Sequence, residues 1–320
     1  MRDSRCQNGE SARGATITAA IATRGLTKFY GRTLGIEDVD LEVRVGEVFG
    51  FLGPNGAGKS TTIRLLLDFI RPTRGEASVL GLECRSRAVD IKRRVGYLPG
   101  ELAMYEKMTA REMLGYFAGL RGMSDLGDAE MVAERLELDL DVKIRSYSSG
   151  NRQKVGLAQA FMHRPELLIL DEPTNALDPL IQQEFHRMID DVREAGRTVF
   201  LSSHILPEVE RVADRVGIIR RGHLVVVDDV SEIKQRAVRR LTLRFAGPVD
   251  PASFQRLPSV IETRGLNNGS VVEVTVAGSV DPVIKKAAEF ETISVSADDG
   301  DLEGAFLAFY SEDEGESRAL

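Results

Sequence analysis

Three kinds of feature are scarce in this sequence of 320 residues, and each absence excludes a class of protein. The only two cysteines, Cys6 and Cys84, lie far apart, so neither a disulfide framework nor a zinc site is predicted, and a reducing cytoplasm is the expected setting. No stretch reaches the roughly 18 uninterrupted apolar residues that a membrane-spanning helix needs. The formal net charge is -7 and no run of basic residues stands out, which argues against a nucleic-acid binder.

The amino-terminal residues also lack the pattern of a signal peptide. Residues 1–14 are polar and charged, and they contain no apolar core. We therefore interpret residues 1–20 as a flexible leader. Any work at a membrane would then require a partner protein that holds this chain there.

The middle of the chain alternates short apolar runs with helical segments, which predicts a parallel sheet covered by helices on both faces. The candidate strands are 48–52, 167–170, 198–201 and 216–219. Residues 99–160 are mostly helical in pattern, and we interpret them as a helical insert. These features predict an α/β domain over residues 21–236.

From residue 237 to residue 320 the pattern is that of a small α+β domain. Strands and helices are predicted in the order β-α-β-β-α-β, which is typical of a ferredoxin-like unit, and a further helix over 302–309 follows. Residues 267–269 (Asn-Asn-Gly) form the turn between the second and third strands. The acidic residues 312–316 are interpreted as a solvated tail. Because the region has no catalytic signature, we expect a role in binding or assembly.

One segment fits the phosphate-binding pattern G-x-x-x-x-G-K-[ST], and it lies between a predicted strand and an apolar helix over 61–69. Its residues are Gly53, Pro54, Asn55, Gly56, Ala57, Gly58, Lys59, Ser60 and Thr61. Glycines allow the backbone N–H groups to surround phosphates, and the positive end of the following helix points at the same anion. Lys59 adds a positive charge, and the Ser60 hydroxyl is a ligand for Mg²⁺. The segment predicts a site for a nucleoside triphosphate with Mg²⁺.

Two acids follow the apolar strand 167–170. Ligands bind at the carboxyl edge of an open α/β sheet, so Asp171 and Glu172 are predicted to lie beside the phosphates. We assign Asp171 to Mg²⁺, through water, and Glu172 to the attacking water, which it would orient or deprotonate. In isolation, two solvated acids at a strand end would explain the pair equally well, and the complete phosphate loop favours the catalytic interpretation.

A second anion-binding turn, Ser148-Ser149-Gly150, opens another predicted helix. One chain rarely needs two such sites for one triphosphate, so we expect this turn to contact ATP that is bound by a different subunit. Ser-Ser-Gly turns are also common in ordinary loops. The position of this one, shortly before the carboxylate strand, favours the binding role.

With these motifs the sequence resembles the ABC ATPase family over residues 22–228. The signature reads Tyr-Ser-Ser-Gly-Asn, where the family usually has Leu-Ser-Gly-Gly-Gln. Tyr30 lies where the family places an aromatic ring that stacks on adenine, and His204 lies where it places a histidine that touches the γ-phosphate. Residues 175–178 resemble the family segment that pairs across the dimer.

The resemblance implies a P-loop NTPase fold and a dimer of two such subunits, expected to be a homodimer, with ATP and Mg²⁺ at the interface. Hydrolysis would drive a separate membrane-spanning permease, on which this chain would be peripheral at the cytoplasmic face. The helical insert is the part that meets the permease in this family. The stretches 96–102, 105–107 and 301–306 look most like ATPase subunits of drug and antibiotic exporters. No nucleic-acid partner is expected.

Two other classes of protein share part of this pattern. The main alternative is a non-transport ABC ATPase that acts on ribosomes or DNA. Those acting on ribosomes generally carry two cassettes in one chain and those acting on DNA carry long coiled coils, and this sequence has neither. A kinase or another monomeric NTPase would leave residues 148–151 and His204 without a role.

One position departs from the family pattern. After the strand that ends at Pro99, the family usually has a glutamine that reaches Mg²⁺ and the attacking water, whereas this chain has Gly100 followed by Glu101. Either the freedom of glycine lets Glu101 turn into the site, or water fills the gap and Glu101 faces the permease or solvent. The sequence leaves both possibilities open.

Overall fold

The computed structural model describes residues 19–236, 238–277 and 279–298. The leader up to residue 18, the helix predicted at 302–309 and the acidic tail at 312–316 lie outside these residues. The first strand begins at Ala19, inside the segment interpreted as the leader. The strands are β1 (Ala19–Tyr30), β2 (Thr33–Val39), β3 (Glu42–Arg44), β4 (Val48–Leu52), β5 (Arg74–Val79), β6 (Leu82–Glu83), β7 (Val95–Leu98), β8 (Leu167–Asp171), β9 (Thr198–Ser203), β10 (Arg215–Arg220), β11 (His223–Asp229), β12 (Val238–Phe245), β13 (Val260–Leu266), β14 (Val271–Ala277) and β15 (Thr292–Asp298).

Helices connect most of these strands. They are α1 (Lys59–Leu66), α2 (Ala88–Arg94), α3 (Ala110–Leu120), α4 (Ala129–Arg135), α5 (Ser149–Phe161), α6 (Pro179–Glu194), α7 (Leu206–Val212), α8 (Val230–Arg236), α9 (Ala252–Gln255) and α10 (Asp281–Ala287). Within the described ranges, no helix combines the length and the apolar character that a passage through a lipid bilayer requires.

A six-stranded sheet in the order β11-β10-β4-β9-β8-β7 forms the centre of the fold. The strands from β10 to β7 are parallel, and β11 joins the edge antiparallel to β10. Alternate residues of β8 enter opposite cores: Leu168 and Leu170 face one, and Leu167 and Ile169 face the other. Because both faces of the strand are covered, β8 is buried at every residue. The predicted parallel α/β sheet is therefore confirmed.

A second sheet, in the order β2-β1-β5-β6 with β3 paired to β1, covers one of these cores. Its pairs are antiparallel. Ile21 and Leu26 of β1 and Ile36 of β2 are fully buried against the same cluster as Phe49 and Phe51 of β4. This packing brings the end of β1 close to the segment that follows β4.

Three helices, α3, α4 and α5, form the predicted helical insert, in which α5 ends at Phe161, one residue beyond the predicted bound, and they pack on the other core. Thr109 and Glu112 form a reciprocal capping box that begins α3, with N–H···O distances of 3.2 and 2.8 Å. Arg135 at the end of α4 pairs with Glu184 and Asp191 of α6 at 2.5 and 2.6 Å. These ion pairs attach the helical insert to the helix that follows β8.

The carboxy-terminal residues form a four-stranded antiparallel sheet in the order β13-β14-β12-β15. This is the strand order of the predicted ferredoxin-like unit. Leu241 and Leu243 of β12 share one core with Phe254 of α9 and Val283 of α10, so both helices cover the same face. The helix α10 begins at Asp281 and ends at Ala287.

Candidate functional site

The carboxyl ends of β4, β9, β8 and β7 lie side by side at one edge of the central sheet. The strand register places Leu52 beside Ser203 and Ser202 beside Asp171. Loops at this edge of an open α/β sheet border a common crevice, and here the crevice is a cavity of about 500 Å³.

Most of the predicted phosphate loop lines this cavity. The loop residues in the lining are Pro54, Asn55, Gly56, Gly58, Lys59, Ser60 and Thr61. Gly53 and Ala57 lie behind them and fix the loop in place: the N–H of Gly53 donates to the carbonyl of Ser203 at 3.4 Å, and the carbonyl of Ala57 accepts the N–H of Gly222 at 2.9 Å.

The loop requires glycine where its backbone turns. Gly56 and Gly58 have φ values of 79° and 117°, in the left-handed region that glycine enters without strain. The helix α1 begins directly afterwards at Lys59, two residues before the predicted helix 61–69, and it ends three residues before the predicted end. The positive φ of Asp68, 50°, explains the early end, because an α-helix cannot continue through that conformation. The unpaired N–H groups of the first turn therefore lie next to the cavity.

The ammonium group of Lys59 is buried within the cavity wall, and its side chain is 5% exposed. Its Nζ donates to the carbonyl of Gly53 at 2.6 Å and lies 3.2 Å from Oε1 of Glu172. The lysine therefore connects the phosphate loop to the predicted catalytic carboxylate. A cation in this place, with low exposure to solvent, attracts phosphate more strongly than a surface lysine does.

Asp171 is held by two serine hydroxyls at the end of β8. The Ser60 hydroxyl donates to Oδ2 at 2.8 Å, and the Ser202 hydroxyl donates to Oδ1. A carboxylate and a hydroxyl facing one cavity are the oxygen ligands that Mg²⁺ prefers, so the residues present fit this ion. Burial, and secondly the charge of Asp171, raise the pKa of the neighbouring Tyr97 to about 12, so its phenol stays protonated.

Glu172 follows β8 directly and has a left-handed backbone, with φ 51°. Its N–H donates to the carbonyl of Ser202 at 3.1 Å, which fixes the backbone against β9. His204 Nδ1 donates to Oε2 at 2.8 Å, whereas Oε1 has no hydrogen-bond partner among the described residues and lies 3.2 Å from Lys59 Nζ. The two residues that the sequence predicts to be catalytic thus contact each other directly.

Tyr30, at the end of β1, lines the same cavity and is 44% exposed. Its hydroxyl lies 3.5 Å from the hydroxyl of Thr61, so the ring stands beside the phosphate loop. An exposed ring in this place suits stacking on a nucleotide base, and that role remains a prediction.

Gly100 and Glu101 also line the cavity. A Cβ atom at position 100 would lie 3.2 Å from Oδ2 of Asp171, so a side chain there would press on that carboxylate. The position of Glu101 in the lining favours the first of the two alternatives, in which this residue turns toward the site.

The second anion-binding turn lies away from the cavity lining and is exposed. The hydroxyl of Ser148 caps α5 by accepting the N–H of Asn151 at 3.2 Å. A Cβ atom at Gly150 would lie 2.5 Å from the carbonyl of Ala176, so the turn packs closely on the segment 175–178. The two motifs that are predicted to face a second subunit are therefore neighbours on one surface.

The residues of the site that were not found from the sequence include Ser202, Arg64 and Tyr97. Arg64 lies one helical turn after Ser60 and lines the cavity, and this four-residue spacing is a signal that could have identified it. Ser202 is a polar residue at the carboxyl end of an apolar strand, which is a comparable signal. Tyr97 carries no such signal, because its position beside Asp171 depends only on the pairing of β7 with the neighbouring strand β8.

This combination of strand order, glycine loop and paired carboxylates defines a P-loop protein that binds a nucleoside triphosphate. Comparison with known proteins shows to which family within this class the chain is similar. The family described as ABC transporter matches residues 36–175. The chain is 40% identical over 233 residues to the bacitracin transport ATP-binding protein BcrA of Bacillus licheniformis, covering 72% of this chain and 76% of that protein.

Two further relatives agree. The linearmycin resistance ATP-binding protein LnrL of Bacillus subtilis is 32% identical over 221 residues, covering 68% of this chain and 71% of that protein. A solved ATP-binding subunit of an ABC transporter superposes with a TM-score of 0.63 and 30% identity, over 67% of this chain and 92% of that one. The chain belongs to the ABC transporter family and is an ABC-type ATPase. The family predicted from the motifs is confirmed.

Proposed function

We propose that this chain hydrolyses ATP in order to drive a separate permease that exports a drug-like or antibiotic compound. The observation that carries the proposal is the joining of the phosphate loop to Glu172 in one cavity, through Lys59. The names of two relatives, one for bacitracin transport and one for linearmycin resistance, support the substrate class. These names refer to transport and resistance, and they do not favour an action on ribosomes or DNA.

The proposed chemistry is the attack of water on the γ-phosphorus of ATP. The bond between the γ-phosphorus and the bridging oxygen breaks, and ADP and phosphate leave. The N–H groups of the loop and Lys59 hold the phosphate oxygens and stabilise the charge that builds up on them. Glu172 orients the water or accepts its proton, and His204 holds the Glu172 carboxylate through the 2.8 Å hydrogen bond.

Asp171 and Ser60 are the residues that would hold Mg²⁺. When bound, this ion would neutralise part of the phosphate charge. The two serine hydroxyls that orient Asp171 also keep its carboxylate directed at the loop.

Replacement of Glu101 tests whether this acid also serves the ion. Because a carboxylate in the cavity lining adds a hard oxygen ligand, Glu101→Ala should raise the Mg²⁺ concentration for half-maximal ATPase activity several-fold. The measurement is a Mg²⁺ titration of the isolated subunit, with Glu106→Ala, an exposed acid nearby in sequence, as the control. An unchanged Mg²⁺ dependence, with transport impaired only when the permease is present, would assign Glu101 to the coupling surface.

The second anion-binding turn supports a dimer. Ser148 and Ser149 are exposed and lie outside the cavity of their own chain, so their predicted ligand is the triphosphate of another subunit. We propose a homodimer in which each site combines the phosphate loop of one chain with the Ser148 turn of the other. Residues 175–178 would lie at the same interface.

Co-expression with a membrane protein tests the transport proposal. We expect a protein of about six membrane spans to be encoded beside this chain, and we expect the two to co-purify in detergent, with this chain at the cytoplasmic face of the membrane. The pair should protect a sensitive host against a peptide antibiotic of the bacitracin class. Protection should disappear with Glu172→Gln, although the complex still forms. A complex that forms and hydrolyses ATP without any protection would leave the ATPase assignment intact and contradict the export assignment.

A further inference from the structure

Gln153, on the helix α5, is a buried polar residue for which the chemistry above has no role. The residue is only 6% exposed. The side-chain amide donates to two successive backbone carbonyls, those of Glu172 at 3.1 Å and Pro173 at 3.0 Å. Both hydrogens of this amide therefore bind carbonyls of the residues that directly follow β8.

The backbone that Gln153 contacts is in a conformation that needs support. A non-glycine residue with φ 51°, as at Glu172, costs free energy and persists only where surrounding contacts hold it. The N–H of Glu172 is held by Ser202, and its carbonyl also accepts the N–H of Asn175 at 3.2 Å. For the Pro173 carbonyl, which lies one peptide further on, the contact is the Gln153 amide.

The direction of the Glu172 side chain follows from this backbone. A change of Glu172 out of this left-handed conformation would turn its side chain and move the carboxylate away from His204 and Lys59, which it contacts at 2.8 and 3.2 Å. The contact with Gln153 also joins two parts of the fold, since α5 belongs to the helical insert and β8 to the central sheet.

We propose that Gln153 is a positioning residue that holds Glu172 in the orientation needed for hydrolysis, and that it does so only while α5 is docked on the end of β8. The inference rests on the proposed role of Glu172. Gln153 acts through the backbone of Glu172. Its own side chain does not line the cavity, and it is not among the residues predicted to bind the nucleotide.

The first test is Gln153→Met, which keeps the side-chain volume and removes both donors. Because the carboxylate loses its fixed direction, kcat for ATP should fall roughly 10- to 100-fold. The Kd of a non-hydrolysable ATP analogue should stay unchanged, since the phosphate loop is intact. The matched control is Gln255→Met in the carboxy-terminal unit, which removes the same type of bond, from Gln255 to the carbonyl of Ile261 at 3.2 Å. The control should keep the wild-type kcat.

The second test separates positioning from a general structural role. In the Glu172→Gln background, Gln153→Met should cause little further loss of kcat, because a residue that acts through Glu172 has nothing left to position. A structural role would lower the activity by the same factor in both backgrounds. If Gln153→Met does not fold, Gln153→Glu serves instead, since it keeps the shape and replaces the donors by acceptors that repel the two carbonyls.

The outcomes distinguish this inference from the proposed function. A wild-type kcat for Gln153→Met, together with a slow Glu172→Gln protein, would overturn only the positioning role. Equal losses in the two backgrounds, or a loss of analogue binding, would also overturn it. A Glu172→Gln protein with normal turnover would overturn the proposed base itself.

Discussion

The Glu172→Gln protein should bind ATP like the wild type and hydrolyse it roughly 10²- to 10⁴-fold more slowly, which is the usual contribution of a positioned base. The substitution keeps the shape of the side chain but removes its ability to accept a proton. It also removes the charge that Lys59 Nζ contacts at 3.2 Å, so that this lysine remains available for phosphate. Steady-state phosphate release and equilibrium binding of a labelled ATP analogue measure the two effects separately.

The matched control is Glu166→Gln. Glu166 directly precedes β8, whereas Glu172 directly follows it. Glu166 pairs with Arg94 at 2.6 Å and is half exposed, far from the carboxyl edge of the sheet. Because this ion pair lies outside the cavity, its loss should leave the site intact, and this protein should hydrolyse ATP normally. Normal turnover in Glu172→Gln as well would mean that another group activates the water.

Two inactive chains should restore activity when they are combined. Lys59→Ala should weaken nucleotide binding, because it removes the buried cation of the phosphate loop. Ser148→Arg should block the turn that is proposed to face the partner's triphosphate. In a mixed dimer, one site would combine an intact loop with an intact turn. With random pairing of equal amounts, about a quarter of all sites would be intact, and activity should rise accordingly.

Co-expression and purification of the tagged pair is the measurement, and each variant paired with itself is the control. If the mixture never exceeds its parents, then the two motifs do not share a site in a homodimer. A heteromeric partner or a monomeric mechanism would follow from that result.

Elements whose conformation depends on residues close together in the sequence could be predicted from the sequence. The apolar run that became β8 is buried on both faces, and such a run bounded by polar residues has few other stable positions. Gly56 and Gly58 permitted the turn before α1, so the phosphate loop followed from the pattern alone. The strand order of the carboxy-terminal sheet, β13-β14-β12-β15, was predicted only through its likeness to a known supersecondary pattern.

The phosphate loop and the two acids could be predicted from the sequence because each motif depends on residues within about ten positions of one another, and the family followed from several such motifs together. How these parts meet depends on the folded chain. The bond from His204 to Glu172, the cavity position of Glu101 and the amide of Gln153 on the end of β8 join residues from separate elements. Such contacts depend on strand register and on the packing of the helical insert, and because the whole core sets both, they leave no local pattern in the sequence.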